Sequence, residues 1–173
     1  RVGLKAAPFS YKVRGDSLND IVVGEQTGKL TYFWNFGTRT NALFSPDSSN
    51  NFFGHVNVKK GNDHFGYSQP YIMRAPTGDL ILYVGSQSGY VYKYLLDPAK
   101  LRSGSFTLID SDFIGQNPGA MSTISIADIN NDGDLEYLIG NARGGLLLFS
   151  DSVWDPGTTL SVADLPLNNG QLR

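Results

Sequence analysis

Tyr137-Leu138-Ile139-Gly140-Asn141-Ala142-Arg143-Gly144-Gly145-Leu146-Leu147-Leu148-Phe149 reads as two apolar runs around a short turn bounded by glycines. β-Branched, aromatic and leucine-rich runs on either side of such a turn are a hairpin signal. The same pattern occurs twice more. It stands at Ile21-Val22-Val23-Gly24-Glu25-Gln26-Thr27-Gly28-Lys29-Leu30-Thr31-Tyr32-Phe33 and at Leu82-Tyr83-Val84-Gly85-Ser86-Gln87-Ser88-Gly89-Tyr90-Val91-Tyr92-Lys93-Tyr94. The leading glycines, Gly24, Gly85 and Gly140, recur at intervals of about 60 residues, so the chain is built from repeats.

Each hairpin has an apolar segment upstream: Ala7-Pro8-Phe9-Ser10-Tyr11, Gln69-Pro70-Tyr71-Ile72-Met73 and Ser122-Thr123-Ile124-Ser125-Ile126. Downstream, Ala42-Leu43-Phe44, Phe106-Thr107-Leu108-Ile109 and Leu160-Ser161-Val162 are candidate outer strands. Four short strands per unit predict an all-β chain. Its β-propeller-type repeats would be four-stranded antiparallel blades, about three of them, at residues 7–62, 63–117 and 118–163, with 164–173 as a C-terminal tail. Three blades are few for a closed ring, so the expectation is a single partial propeller or a fragment of a larger one. Its open blade edges would favour self-association. The segment Phe52-Phe53-Gly54-His55-Val56-Asn57-Val58 is a further strand candidate, and Asp97 to Arg102 are expected to form one helical turn.

Between the first two strands of the third unit lies Asp128-Ile129-Asn130-Asn131-Asp132-Gly133-Asp134-Leu135-Glu136. Oxygen-bearing side chains stand at its first, third, fifth and ninth positions, and a glycine at the sixth. Ca²⁺ takes six to eight oxygen ligands in flexible geometry. A short loop can supply them when alternate residues point inward and a glycine permits a sharp turn. The ligand set is Asp128, Asn130, Asp132 and Glu136, with Asp134 contributing its backbone carbonyl. An EF-hand would require a carboxylate at the twelfth position, where this chain has Ile139. The competing interpretation is a metal-free turn, since Asp, Asn and Gly favour turns for their own reasons.

The Asp-x-Asn-x-Asp-Gly-x-x-Glu loop before a Gly-x-x-x-Gly hairpin resembles the FG-GAP/VCBS repeats of integrin-like β-propellers. Phe65-Gly66-Tyr67-Ser68 is similar to the Phe-Gly signature of that family. The resemblance covers residues 7–150. It implies Ca²⁺ in the loop joining the first two strands of a blade, and a style of repeat similar to that of secreted surface proteins of Bacteroidetes. The other copies depart from the motif. Lys12, Arg14, Asp16, Ser17 and Asp20 replace the ligands in the first, where a Lys or Arg would neutralise the two aspartates. The second reads Arg74-Ala75-Pro76-Thr77-Gly78-Asp79, a simple tight turn. One calcium, in the third unit, is expected.

Composition narrows the function classes. Net charge is −2 with no long basic run, which argues against a nucleic-acid partner. No apolar run is long enough to cross a bilayer as a helix. With no cysteine there is neither a disulfide framework nor a thiolate metal site. The chain begins at Arg1, as a processed or excised one would, and carries no Asn-x-Ser/Thr acceptor. His55 and His64 have no partner at a metal or triad spacing, and Ser17, Ser86 and Ser150 lack a nucleophile-elbow context. Arg14-Gly15-Asp16-Ser17 spells a cell-adhesion tetrapeptide, but its place in the degenerate loop accounts for it. Aromatic residues make up 12% of the chain and suit a blade core, with sugar stacking as a second use of exposed Tyr and Trp. The expected function is a non-catalytic, calcium-stabilised extracellular binding module of bacterial origin, secreted or on the cell surface, taking a protein or carbohydrate ligand. The alternatives are part of a propeller-type polysaccharide-degrading enzyme and a structural spacer in a large surface protein.

Overall fold

A computed structural model describes residues 2–115 and 117–150, and the backbone of residues 160 and 161. These residues form three antiparallel sheets of four strands, each a meander in which neighbours in sequence are neighbours in space. The first sheet contains β1 (Ala7–Tyr11), β2 (Asp20–Gly24), β3 (Leu30–Phe33) and β4 (Ser49–Asn50). The second contains β5 (Gln69–Arg74), β6 (Leu80–Gly85), β7 (Val91–Leu96) and β8 (Thr107–Asp110). The third contains β9 (Thr123–Ala127), β10 (Glu136–Gly140), β11 (Leu146–Ser150) and β12 (Leu160–Ser161). The described residues include no α-helix; 3₁₀ turns occur at Pro46–Ser48, Phe53–His55 and Pro98–Lys100. No helix among them is long and apolar enough to cross a membrane.

Equivalent registers recur. Ala7 pairs with Gly24, Gln69 with Gly85 and Thr123 with Gly140. Strand alternation sends successive side chains to opposite faces, and the sheets stack in chain order. Val22, Leu30 and Tyr32 of the first sheet meet Ile72, Leu82, Val84 and Tyr94 of the second in one core. Ile81, Tyr83 and Val91 meet Ile124, Ile126, Tyr137, Ile139 and Phe149 of the third in another. The second sheet is therefore covered on both faces, and every residue of β6 is buried. That is why Leu80-Ile81-Leu82-Tyr83-Val84 is continuously apolar rather than alternating. Full burial of Leu30, Phe53, Ile72 and Leu82 contributes about 1.5–3 kcal/mol each.

Two strand expectations are corrected. Ala42-Leu43-Phe44 is not an outer strand. The chain doubles back there, with Phe36 N–H on the Leu43 carbonyl (3.0 Å) and Thr38 N–H on that of Asn41 (2.8 Å). The Asn35 side chain holds this excursion by accepting from the amides of Gly37 and Leu43, and β4 forms later, at Ser49–Asn50. The segment 52–58 holds a 3₁₀ turn at Phe53–His55 and no ladder strand, because its apolar side chains fill the core: Phe53 stacks on Tyr32 and meets Phe106 edge-on. Only Asn57 makes a strand-like bridge, to Lys29. Of the expected third outer strand, Leu160 and Ser161 pair with β11; Val162 and the tail 164–173 lie outside the described residues.

The junctions between sheets follow one plan. Just before its first strand, each repeat places a non-glycine residue in the left-handed region: Lys5 (φ 57°), Tyr67 (φ 45°) and Met121 (φ 60°). The next residue, Ser68 or Ser122, enters the glycine hairpin of the preceding sheet. Ser68 Oγ accepts from Glu25 N–H (2.9 Å) and donates to the Lys29 carbonyl (2.6 Å). Ser122 Oγ accepts from Ser86 N–H (2.9 Å) and donates to the Tyr90 carbonyl (3.0 Å). A Cβ on Gly24 or Gly85 would lie 2.0 Å from the carbonyl oxygen of Ser68 or Ser122, which excludes any side chain there. Phe65-Gly66 belongs to the first junction. Gly66 N–H donates to the Gln26 carbonyl (2.9 Å), and a Cβ on Gly66 would lie 2.5 Å from the Gly28 Cα.

Candidate metal centre

Three loops stand at equivalent places, between the first and second strands of each sheet; counted from the rungs of Gly24, Gly85 and Gly140, the equivalent rungs beside them are Tyr11–Asp20, Met73–Ile81 and Ala127–Glu136, and the second ladder continues one rung further, to Arg74–Leu80. Asp20, Ile81 and Glu136 thus occupy one structural position. All are buried, at 0%, 7% and 5% exposure. The three repeats treat this position differently.

In the first sheet a guanidinium sits on the carboxylate. Arg14 donates through Nε to Asp20 Oδ2 (3.1 Å) and through an Nη to Asp20 Oδ1 (3.0 Å). The same end lies 3.1 Å from Asp16 Oδ2 and donates to the Asn35 carbonyl (2.6 Å). Tyr32 O–H (2.7 Å) and Asn35 N–H (2.8 Å) complete the shell around Asp20. The hydrogen bond to Asp20 raises the already high pKa of Arg14. Arg14 is directed into the fold by this contact, so it is not a free arm of the Arg14-Gly15-Asp16-Ser17 tetrapeptide. In the second sheet the position is apolar, and the loop is a tight turn, with Ala75 N–H on the Asp79 carbonyl and Gly78 N–H on that of Ala75, both 2.8 Å.

The third loop keeps a buried carboxylate and has no cation among the described residues. Glu136 Oε2 accepts from Ile129 N–H (2.8 Å), and Oε1 lies 3.4 Å from Ser150 Oγ. The loop curls around its own acidic side chains. Asp128 accepts from Asp132 N–H (3.2 Å) and Gly133 N–H (3.0 Å), and Asp132 from Asp134 N–H (2.9 Å). Asn130 accepts from Asp132 N–H (3.0 Å) and donates to Asp132 Oδ2 (2.7 Å). Asn131 (φ 60°) and Gly133 (φ 97°) provide the two left-handed residues of the curl. Asp128 is half-buried, while Asn130, Asp132 and Asp134 are exposed. The loop thereby gathers Asp128, Asn130 and Asp132, with Glu136 at its base; the Asp134 side chain lies outside the curl's hydrogen bonds. Among the described residues no three acidic or histidine side chains converge tightly enough to enclose an ion as they stand. Each carboxylate oxygen has two lone pairs, so acceptance from an amide leaves it able to ligate. A hard, oxygen-only donor set of this kind fits Ca²⁺, and Asp128, Asn130, Asp132 and Glu136 are the side chains that would hold it.

Spacing along the chain does not reveal Tyr32 and Asp20, twelve residues apart, as partners. Burial first, and then the hydrogen bond to Asp20, push the Tyr32 phenol far above its usual range. Burial likewise pushes Tyr94 up to about 12. Unfolded tyrosines ionise near 10. Above that pH the unfolded chain sheds protons that the folded one retains, so stability is intact below about pH 10 and falls as pH rises further. Thermal unfolding is expected to hold steady up to pH 9 and then decline, with a smaller decline in Tyr94→Phe. An equal decline in that variant would remove Tyr94 from the effect.

Comparison with known protein families, with curated proteins and with solved structures finds no match to this chain.

Proposed function

We propose that this chain is a three-blade segment of a β-propeller of the FG-GAP/VCBS kind, acting as a non-catalytic binding module stapled by one calcium ion. The observation that carries the calcium is Glu136: a buried carboxylate at the position where the first repeat pairs Asp20 with Arg14 and the second has the uncharged Ile81. A buried charge is tolerated when it is paired or bound to a metal. The adjoining first strands β1, β5 and β9 and the face-to-face stacking of successive sheets support the blade arrangement. Bound Ca²⁺ would cross-link the loop between β9 and β10, and a rigid loop face is what a binding module needs. The ligand class is a protein or a glycan, and the setting is extracellular, secreted or at the cell surface, where calcium is abundant.

The test is thermal unfolding in calcium and in chelator, on the natural chain and on Asp132→Ala. The expected result is a clear drop in melting temperature on chelation that is absent from the variant. An unchanged melting temperature on chelation would leave the loop as a metal-free turn and would remove the module's physical basis.

A further inference from the structure

The two junctions inside the chain define a plug and a socket, and the chain carries a second set of each that its described residues leave apart. The socket is the glycine hairpin of a sheet. In the first two sheets it is filled: Glu25 and Ser86 receive a serine hydroxyl on their amides and the serine amide on their carbonyls (3.1 and 3.0 Å). In the third sheet the corresponding residue is Asn141. No described residue accepts from its amide, and nothing comes within 4 Å of a Cβ built on Gly144, whereas Gly28 and Gly89 are packed by the next repeat.

Gly140 makes the point sharply. Gly24 and Gly85 must be glycine because the incoming carbonyl lies where a Cβ would be. Gly140 occupies the same rung, its φ is not in the left-handed region, and a Cβ there would meet only the movable Thr123 Oγ1. Neither backbone conformation nor any described neighbour accounts for glycine, but an incoming strand would.

The free plug is the start of the first repeat. Tyr67-Ser68-Gln69-Pro70 fills the first socket, with Pro70 Cδ 2.8 Å from the Cβ position of Gly24. Lys5-Ala6-Ala7-Pro8 has the same register ahead of its sheet, and Lys5 has the same left-handed turn. Only the serine hydroxyl is missing, replaced by Ala6. The faces agree as well. Leu138, Leu146 and Leu148 stand where Val22, Leu30 and Tyr32 form a core, and Leu146 is 37% exposed. On the far side of the first sheet, Pro8, Ser10 and Ile21 line a recess of about 660 Å³, where their counterparts in the second sheet, Pro70, Ile72 and Leu82, are buried.

We infer that a second copy of this chain docks head to tail: its Lys5-Ala6-Ala7-Pro8 enters the Gly140–Gly144 hairpin of the first, and its first sheet covers the third sheet's free face. The contact reproduces the two internal junctions and does not involve the calcium loop, so it is testable whether or not the ion binds.

Sedimentation velocity over a wide concentration range, in calcium and in chelator, tests this. The expected result is reversible association that Gly140→Val weakens by on the order of tenfold or more through steric exclusion of the incoming carbonyl. Ala6→Ser is expected to tighten it about fivefold or more by restoring the hydroxyl's two hydrogen bonds, one accepted and one donated. Circular dichroism checks that both variants fold, and the gain in Ala6→Ser keeps the test decisive if Gly140→Val does not. A monomer at every concentration, or association indifferent to both variants, would overturn the inference. So would a Gly140→Val variant with lowered melting temperature and unchanged association, since residues after Ser150 of the same chain would then fill the socket.

Discussion

Arg14→Ala is expected to destabilise the chain by about 3 kcal/mol, at the low end of the roughly 3–5 kcal/mol that breaking a buried ion pair costs. Asp20 is fully buried and would keep only the Tyr32 hydroxyl and the Asn35 amide. Those two donors do not neutralise a carboxylate. Arg14 is 27% exposed, which lets water replace part of its contribution and sets the lower value. The second sheet shows the remedy, because Ile81 fills the same position without any charge. Arg14→Ala combined with Asp20→Ile should therefore recover much of the loss, although Tyr32 would still forfeit its acceptor. Denaturant unfolding checks both variants. A single-variant loss under about 1 kcal/mol would mean that water reaches Asp20 and that the pair is no more than a surface ion pair.

The second large effect concerns the third loop. Asn130 stands where the first repeat has Arg14. Asn130→Arg is expected to place a guanidinium over Glu136 and to make the loop independent of calcium. Glu136→Gln removes the buried charge instead. With free calcium a hundredfold above its dissociation constant, the natural loop would be stabilised by about 2.7 kcal/mol. Both variants should lose that increment, and both should be more stable than the natural chain in chelator, Asn130→Arg by pairing the buried charge and Glu136→Gln by removing it. Calorimetric titration with Ca²⁺ and unfolding in chelator measure the two effects separately. Calcium binding that survives in Glu136→Gln at unchanged affinity would exclude Glu136 from the ligand set.

Much of the strand layout was legible locally. The paired glycines and apolar runs around residues 24, 85 and 140 marked the central hairpins, and the hairpin strands lie where those runs and the turn chemistry put them. The tight turn at Pro76-Thr77-Gly78 and the helical turn near Pro98 were legible for the same reason, since their hydrogen bonds close within a few residues. The outer strand of the first sheet was not. Ala42-Leu43-Phe44 has strand-like composition, but a side chain eight residues upstream, Asn35, bonds the Leu43 amide and keeps it from a ladder. Segment 52–58 misled for a related cause: Phe53 is apolar because it caps a core between sheets, not because it alternates within one.

The candidate site divides along the same line. The amino-acid sequence alone determined the repeated hairpins, the acidic loop at residues 128–136 and the loss of its ligand pattern in the other two copies, because each depends on residue types at short fixed spacing. Only the tertiary structure decided that Asp20, Ile81 and Glu136 share one buried position, that Arg14 rather than Lys12 makes the expected ion pair with Asp20, and that Ser68 and Ser122 bind each sheet to the one before. Those facts depend on burial and on partners from another repeat, some forty residues away for Ser68 and Glu25, and neither quantity is carried by spacing along the chain.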